Sequence, residues 1–350
     1  MKTNKCDPKL LKDHFQKHFT SEKIDQDPIE LTNTPSFLLQ FQSIRADNVN
    51  TEPPDEFELR KIITNLKNGK SSNDVPIIYI KSSMSSQEFV NEIVRLFTTI
   101  WISKCIPKEW GHSKLVCLWK GPSKGSAKDP SSYRGLQIGS SLCKILVILL
   151  IERLKVWYEL QLLDQQQGFR QARGTSDGIF VIKSIQQITH KMKKPTYLLF
   201  VDLSAAFDHV ERKWLFETMR KRCSDSKIEP IIKILEALYM HTTTALAETP
   251  EDMFKLSAGV RQGGPESPML YNLFMDFVMR IFMETCKLED VKFLKLRYKI
   301  PKSASSSAKT ALGNVTIDWC GYADDLLVVF EDKLSLQKGI GILNNIFEKY

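Results

Sequence analysis

Apolar positions recur along this chain with two different periods, and the switches between them mark out its elements. Leu59, Ile62, Ile63 and Leu66 share one helical face. A D-x-x-E start at Asp55 and Glu58 precedes them and Asn68-Gly69 follows, predicting a helix from about Phe57 to Leu66. A second apolar stretch, Phe89 to Trp101, ends before Pro107, and Lys114 to Trp119 reads as a strand. Gly121 to Ser132 is a polar loop rich in Lys, Ser, Gly and Pro. Ser140 or Ser141 can cap a helix carrying Leu142, Leu146, Leu149 and Arg153. Thr175-Ser176 starts another through Ile179, Ile182 and Ile185, and Lys193-Lys194-Pro195 breaks the chain.

In the second half, Thr196 to Val201 is a continuous apolar, β-favouring run, which predicts a strand covered on both faces. Pro230 opens a helix that aligns Ile231, Ile234, Leu235 and Leu238. Pro268 opens one that aligns Leu270, Phe274, Phe277 and Ile281. Val315 to Cys320 and Leu326 to Phe330 flank Gly321-Tyr322-Ala323-Asp324-Asp325, predicting a hairpin with the acids at its tip. A helix with Leu336, Ile340, Leu343 and Phe347 follows. Lys302 to Lys309 is low-complexity and reads as a mobile loop. Residues 1–54 read as a polar, loosely packed lead-in. His14 and His18 have a zinc-compatible i, i+4 spacing there, but Phe15 stands where a zinc hydrolase needs Glu, so they read as solvated histidines.

Composition narrows the class. With 350 residues, 42% of them hydrophobic, the chain can bury a sizeable core, which excludes global disorder. Lys+Arg number 49 against 41 Asp+Glu, a net +8 that leans mildly toward polyanionic partners. The 7 cysteines are scattered and never form C-x-x-C, as expected of reduced thiols. The start has no apolar signal core, and the longest apolar run, Ile145 to Ile151, is too short to span a bilayer. The expectation is a soluble intracellular protein, cytoplasmic or nuclear, without a membrane partner.

The candidate chemistry lies in acids. Asp202 ends the apolar run 196–201, where a buried carboxylate is costly unless paired or bound to metal. Asp324 and Asp325 are adjacent in a tight turn between apolar strands. A site gathering all three needs cations to offset their repulsion, and hard oxygen ligands favour Mg²⁺, with Mn²⁺ as the alternative, over zinc. Two such ions about 3.5–4 Å apart can activate a 3′-hydroxyl and stabilise a leaving pyrophosphate. The plain alternative is a strand cap and an ordinary polar turn.

Three segments carry a resemblance. Val201-Asp202-Leu203-Ser204-Ala205-Ala206-Phe207-Asp208 resembles the first palm motif of reverse transcriptases. Gly259-Val260-Arg261-Gln262-Gly263-Gly264-Pro265-Glu266-Ser267-Pro268 resembles the second, and Gly321-Tyr322-Ala323-Asp324-Asp325-Leu326 the third. Their order and spacing resemble the non-LTR (LINE-type) retrotransposon enzymes. Upstream, Leu66-Lys67-Asn68-Gly69-Lys70 with Asp74, Ile106-Pro107-Lys108-Glu109-Trp110, Lys120 and Tyr133-Arg134-Gly135 resemble the fingers of that family. So do Lys144-Ile145-Leu146, Arg153-Leu154 and Gln167-Gly168-Phe169-Arg170, and the resemblance covers roughly residues 55 to 350.

The resemblance implies an α+β right-hand polymerase fold. Fingers would span 55–195 and a palm with an antiparallel sheet, incomplete, 196–350. It implies RNA-directed DNA polymerase activity, with RNA template, DNA primer and dNTPs as partners. Asp202, Asp324 and Asp325 would be the catalytic, metal-binding acids. Phe207 would crowd a ribose 2′-hydroxyl, Gln262 and Gly263 would lie beside the incoming nucleotide, and Arg134 and Lys120 would neutralise its triphosphate. Asp208 matches a second acid of the first motif. The family often has Gln-Gly-Asp-Pro-Leu-Ser-Pro where this chain has Gln262-Gly263-Gly264-Pro265-Glu266-Ser267-Pro268. The thumb that follows the palm in the family is expected to be missing, as are an endonuclease domain and a zinc knuckle. That motivates two rival expectations: an inactive nucleic-acid-binding remnant, and a different polymerase, either intron-encoded or a viral RNA-dependent RNA polymerase. Viral enzymes usually carry Gly-Asp-Asp rather than Ala323-Asp324-Asp325, and tend to lack an aromatic residue equivalent to Phe207.

Overall fold

In the computed structural model, which describes residues 6–20, 46–223, 226–299 and 312–349, the chain divides into two units. The first comprises Met1–Gln161 and Ala205–Phe274, the second Leu162–Ser204 and Met275–Tyr350. In chain order the elements are α1 (Pro8–Phe19), α2 (Glu56–Asn65), α3 (Ile77–Ser83), α4 (Gln87–Ser103), β1 (His112–Trp119), β2 (Tyr133–Ile138) and α5 (Ser141–Gln161). Next are α6 (Thr175–Lys191), β3 (Tyr197–Val201), α7 (Arg212–Arg222), α8 (Glu229–Met240), β4 (Thr243–Leu246), β5 (Phe254–Lys255) and α9 (Ser267–Leu288). The last are β6 (Leu294–Lys299), β7 (Leu312–Ile317), β8 (Trp319–Tyr322), β9 (Asp325–Phe330) and α10 (Lys333–Lys349). This mixture of helices and mainly antiparallel sheets is the α+β class read from the sequence. Among the described residues no helix is long and apolar enough to cross a membrane.

The first unit is built on a sheet of order β2-β1-β4-β5, in which β1 is antiparallel to β2 and parallel to β4. The amphipathic periods dictate its helical layer. α2 buries Leu59, Ile62 and Ile63, and α8 buries Ile231, Ile234, Leu235 and Leu238. Asp55 caps α2 by accepting from the Glu58 amide at 2.8 Å. The Glu58 carboxylate does not complete a capping box. It pairs with Arg153 of α5, at 2.9 Å to Nε and 2.6 Å to Nη2. Ser140 receives the Cys143 amide, and Asp74 receives the Ser141 amide, so polar side chains satisfy the orphan donors that open α5. Residues 8–19 are not a loose lead-in. Leu11, Phe15 and Phe19 of α1 are buried with Leu115, Tyr133, Leu246, Phe254 and Leu256 in one core cluster. His14 and His18 lie half-buried rather than solvated, with ring centroids 4.4 Å apart.

The second unit holds the antiparallel sheet β3-β9-β8 and the separate hairpin β6-β7. The run 315–320 is therefore two elements: β7 pairs with β6, and β8 pairs with β9. β9 is central, and Leu326 to Phe330 are all buried. β3 is an edge strand and only half-covered, with Phe200 68% exposed, which corrects the expectation of burial on both faces. Ile185 of α6 packs with Leu294, Leu296, Leu327 and Val329 in this unit's core. A Cβ at Gly339 of α10 would overlap the Phe330 ring, so the glycine admits the helix onto β9. The low-complexity segment Lys302–Lys309 lies outside the described residues.

Candidate active site

Strand register sets two of the acids across from one another. β3 pairs with β9 so that Val201 faces Leu326, and β8 pairs with β9 so that Tyr322 faces Asp325. Continuing the first ladder by one residue sets Asp202 opposite Asp325, and the second leaves Ala323 and Asp324 as a two-residue turn. Asp325 thus opens β9 while Asp324 occupies the tip. Asp202 and Asp325 are exposed and Asp324 is half-buried. Desolvation at the end of a buried strand is therefore not what singles out Asp202, because β3 is an edge. What singles it out is its position across from a second acid. Among the described residues, no group of three His, Cys, Asp or Glu is gathered closely enough to enclose a metal ion.

The turn itself is held by a residue that hydrophobic pattern and motif spacing both passed over. Gln166 is buried, and its Oε1 accepts from the amides of Ala323 and Gly168, each at 2.9 Å. Its Nε2 donates to the Ala323 carbonyl at 3.2 Å. Ala323 has φ +58°, in the left-handed region that non-glycine residues seldom occupy, so this grip secures a costly conformation. The backbone beside it is tied twice more, Gly321 N–H to Gln165 O at 2.9 Å and Gln167 N–H to Gly321 O at 2.8 Å. A Cβ on Gly168 would overlap the Ala323 amide nitrogen, which accounts for the glycine in Gln167-Gly168-Phe169. The available signal was a run of glutamines ending at a glycine, and nothing local said which peptide Gln166 would grip.

Within the first unit, the segment after Ala205 and the segment before α9 are laced together. Val260 N–H donates to Phe207 O at 2.8 Å, and Gly259 N–H to Val210 O at 2.9 Å. Arg212 clamps the same region, donating to the carbonyls of Tyr239, Leu256, Ala258 and Gly259 at 2.8–2.9 Å. Burial pushes its guanidinium down to about 10. The Phe207 ring is half-buried and stacks on Tyr271, with centroids 4.4 Å apart and planes 10° off parallel. Gln262 sends its Nε2 to both carboxylate oxygens of Asp208, at 2.8 and 3.0 Å. Gly263 has φ +100°, and a Cβ there would meet Leu136 at 2.6 Å, so no other residue fits without strain. Glu266, where the family often has Leu, is buried, pairs with Arg261 at 2.8 Å and accepts from the Tyr239 hydroxyl at 3.0 Å.

The two basic candidates sit on the β1-β2 hairpin. Arg134 is exposed on β2, across from Leu118. Lys120, just past the end of β1, is exposed too, and its Nζ rests on the Ser131 carbonyl at 3.0 Å.

The comparisons with known proteins agree with the motifs. The family described as "Reverse transcriptase (RNA-dependent DNA polymerase)" matches residues 122–350. The chain is 24% identical over 218 residues to a retrovirus-related Pol polyprotein from the type-2 retrotransposable element R2DM of Drosophila melanogaster, covering 62% of this chain and 18% of that protein. It is 25% identical over 255 residues to a retrovirus-related Pol polyprotein from the type-1 retrotransposable element R2 of Nasonia vitripennis, covering 72% and 22%. It is 26% identical over 277 residues to a probable RNA-directed DNA polymerase from transposon BS of Drosophila melanogaster, covering 75% and 27%. The chain thus spans roughly a quarter or less of these relatives' lengths. The resemblance to retrotransposon enzymes read from three short segments is borne out across most of the chain, which belongs to the reverse transcriptase (RNA-dependent DNA polymerase) family.

Proposed function

We propose that this chain supplies the fingers and palm of a non-LTR retrotransposon reverse transcriptase, adding dNTPs to a primer 3′-end on an RNA template. The observation that carries this reading is the register that sets Asp202 opposite Asp325, with Asp324 next to it in the turn.

The donor set fits a hard divalent cation, because all three side chains offer carboxylate oxygens and nothing softer. Mg²⁺ is commonly held by one or two carboxylates together with substrate phosphates, so a closed protein cage is not required of Asp202, Asp324 and Asp325. Cations bound there would supply charge neutralisation for the attacking 3′-oxygen and the leaving pyrophosphate. The protein's own part is positioning. Gln166 holds the turn that presents Asp324, and the β3-β9 ladder sets the height of Asp202 against it. Phe207, backed by Tyr271, limits the space beside a ribose 2′-carbon and so favours deoxynucleotides. Gln262 and Gly263 line the nucleotide, and Arg134 and Lys120 neutralise its phosphates.

Extension of a DNA primer on an RNA template by the purified chain, with Mg²⁺ or Mn²⁺, tests this. The expected result is dNTP incorporation that Asp324→Asn abolishes. Equal extension by wild type and variant would remove the assignment of the acids. Template binding without extension would favour the reading of a nucleic-acid-binding remnant.

A further inference from the structure

Asp208 lies six residues after Asp202 and is buried, which separates it from the exposed acid of the same motif. Backbone meets it on two counts. Its amide donates to Ala205 O at 2.8 Å, and Gly259 passes so close that a Cβ there would stand 2.6 Å from the Asp208 carbonyl. Both carboxylate oxygens are spent on one partner, the Nε2 of Gln262. An ionised carboxylate can only accept, so it dictates that the nitrogen end of that amide faces inward. The other end, Gln262 Oε1, is buried and has no hydrogen-bond partner among the described residues.

We propose that Asp208 is a positioning residue for nucleotide addition, fixing the Gln262 amide so that its carbonyl oxygen is offered as an acceptor to a donor group of the incoming nucleotide. This rests on the reading of Gln262 as a nucleotide-binding residue. The arrangement also has a second state. A protonated Asp208 has an O–H to give, and turning the amide over lets its carbonyl oxygen take that proton's hydrogen bond, which offers an N–H instead of a carbonyl.

Burial pushes the Asp208 carboxyl up to about 7, against the Gln262 hydrogen bonds and the charge of Lys120, which favour the ionised form. The neighbouring charges are otherwise engaged or turned out. Arg261 is occupied by Glu266, and His209 is exposed beside His18. The exchange between the two amide orientations therefore falls within the neutral range.

The test is steady-state extension on primed RNA between pH 6 and 8.5, with KM for dNTP and kcat followed separately. Wild type should show KM rising about tenfold as pH falls through 7, the size of one hydrogen bond, with kcat changing less. Asp208→Asn should raise KM at pH 8 by a similar factor and flatten its pH dependence. Adding Asp208→Asn to Gln262→Ala should change nothing further. An unaltered pH profile in Asp208→Asn, or effects that simply add, would overturn the proposal. A readout free of turnover is the ¹⁵N signal of the Gln262 side-chain amide, which should titrate near pH 7 in wild type and not in Asp208→Asn. An amide that does not titrate overturns the proposal. Titration with an unchanged KM in Gln262→Ala overturns the nucleotide reading of Gln262, and the proposed role of Asp208 with it.

Discussion

Gln166 grips the peptide group of Ala323 at both ends, taking its N–H and giving to its C=O across 157 positions of sequence. One side-chain amide thereby stands in for the neighbouring strand that a tight turn lacks. The residue it secures is the one immediately before Asp324, so the turn carrying an acid is fixed by a neutral side chain far away in sequence.

Replacing Gln166 by Ala should be costly, because it strands buried N–H groups at Ala323 and Gly168. About 2–4 kcal/mol of stability should be lost, on the usual range for unsatisfied buried donors. Urea unfolding followed through the buried Trp319 indole of the adjacent strand measures this directly. Gln166→Glu keeps an acceptor but buries a carboxyl without a cation, so it should be destabilising as well.

Asp202→Asn and Asp324→Asn should each lower primer extension by about 10²–10³, the size of losing one strong electrostatic contribution to a transition state. For the exposed Asp202 stability should be unchanged or slightly raised, since a like charge is being removed from opposite Asp325. Single-turnover extension across a range of Mg²⁺ concentrations, beside a urea midpoint for each variant, separates the two effects.

Asp208 predicts a pH dependence of stability with a definite sign. Its carboxyl is raised from 3.8 to about 7 by burial, so the folded state prefers the protonated form. The stabilisation is complete below about pH 4 and is lost as pH rises to 7. Over three pKa units this amounts to about 4 kcal/mol. Asp208→Asn removes the titration. The stability of the variant relative to wild type should therefore climb between pH 4 and 7 and then level off, as denaturant midpoints at fixed pH values will record.

Arg153 should tolerate no replacement, lysine included. Its guanidinium meets the Glu58 carboxylate in a two-pronged pair, donates to the carbonyls of Asn50 and Glu52, and lies over the Trp101 ring at 4.6 Å. A lysine has neither the fork nor the flat face. Breaking a buried pair by removing one member costs about 3–5 kcal/mol, so Arg153→Ala should shift thermal unfolding by many degrees.

Local patterns made the helices legible, because each carries its own apolar face: α2 begins and ends within a residue of the expected bounds, and α8 and α9 begin one residue before the prolines that open them. The hairpin of β8 and β9 was legible for the same reason, with its turn between two β-rich runs. What local pattern cannot convey is which strand lies in the middle. Tyr197 to Val201 and Leu326 to Phe330 are both apolar, yet one is an edge and the other a centre, since that depends on partners chosen elsewhere. α1 was obscured by its Lys and His residues, which hide three well-spaced apolar ones. For the candidate site, motif and chemistry both pointed to the three acids, whereas nothing pointed to Gln166, because a glutamine among glutamines announces no target.

The pairing of β3 with β9 has a consequence for synthesis on the ribosome. Val201 must wait for Leu326, 125 residues later, before its ladder can close. At about 5–20 residues per second that is roughly 6–25 s during which Asp202 has no partner strand to set its place. A nascent chain interrupted anywhere in that interval carries the first acid without the strand that faces it. The placement of Asp202 across from Asp325 can be completed only after the polypeptide has been read past Phe330.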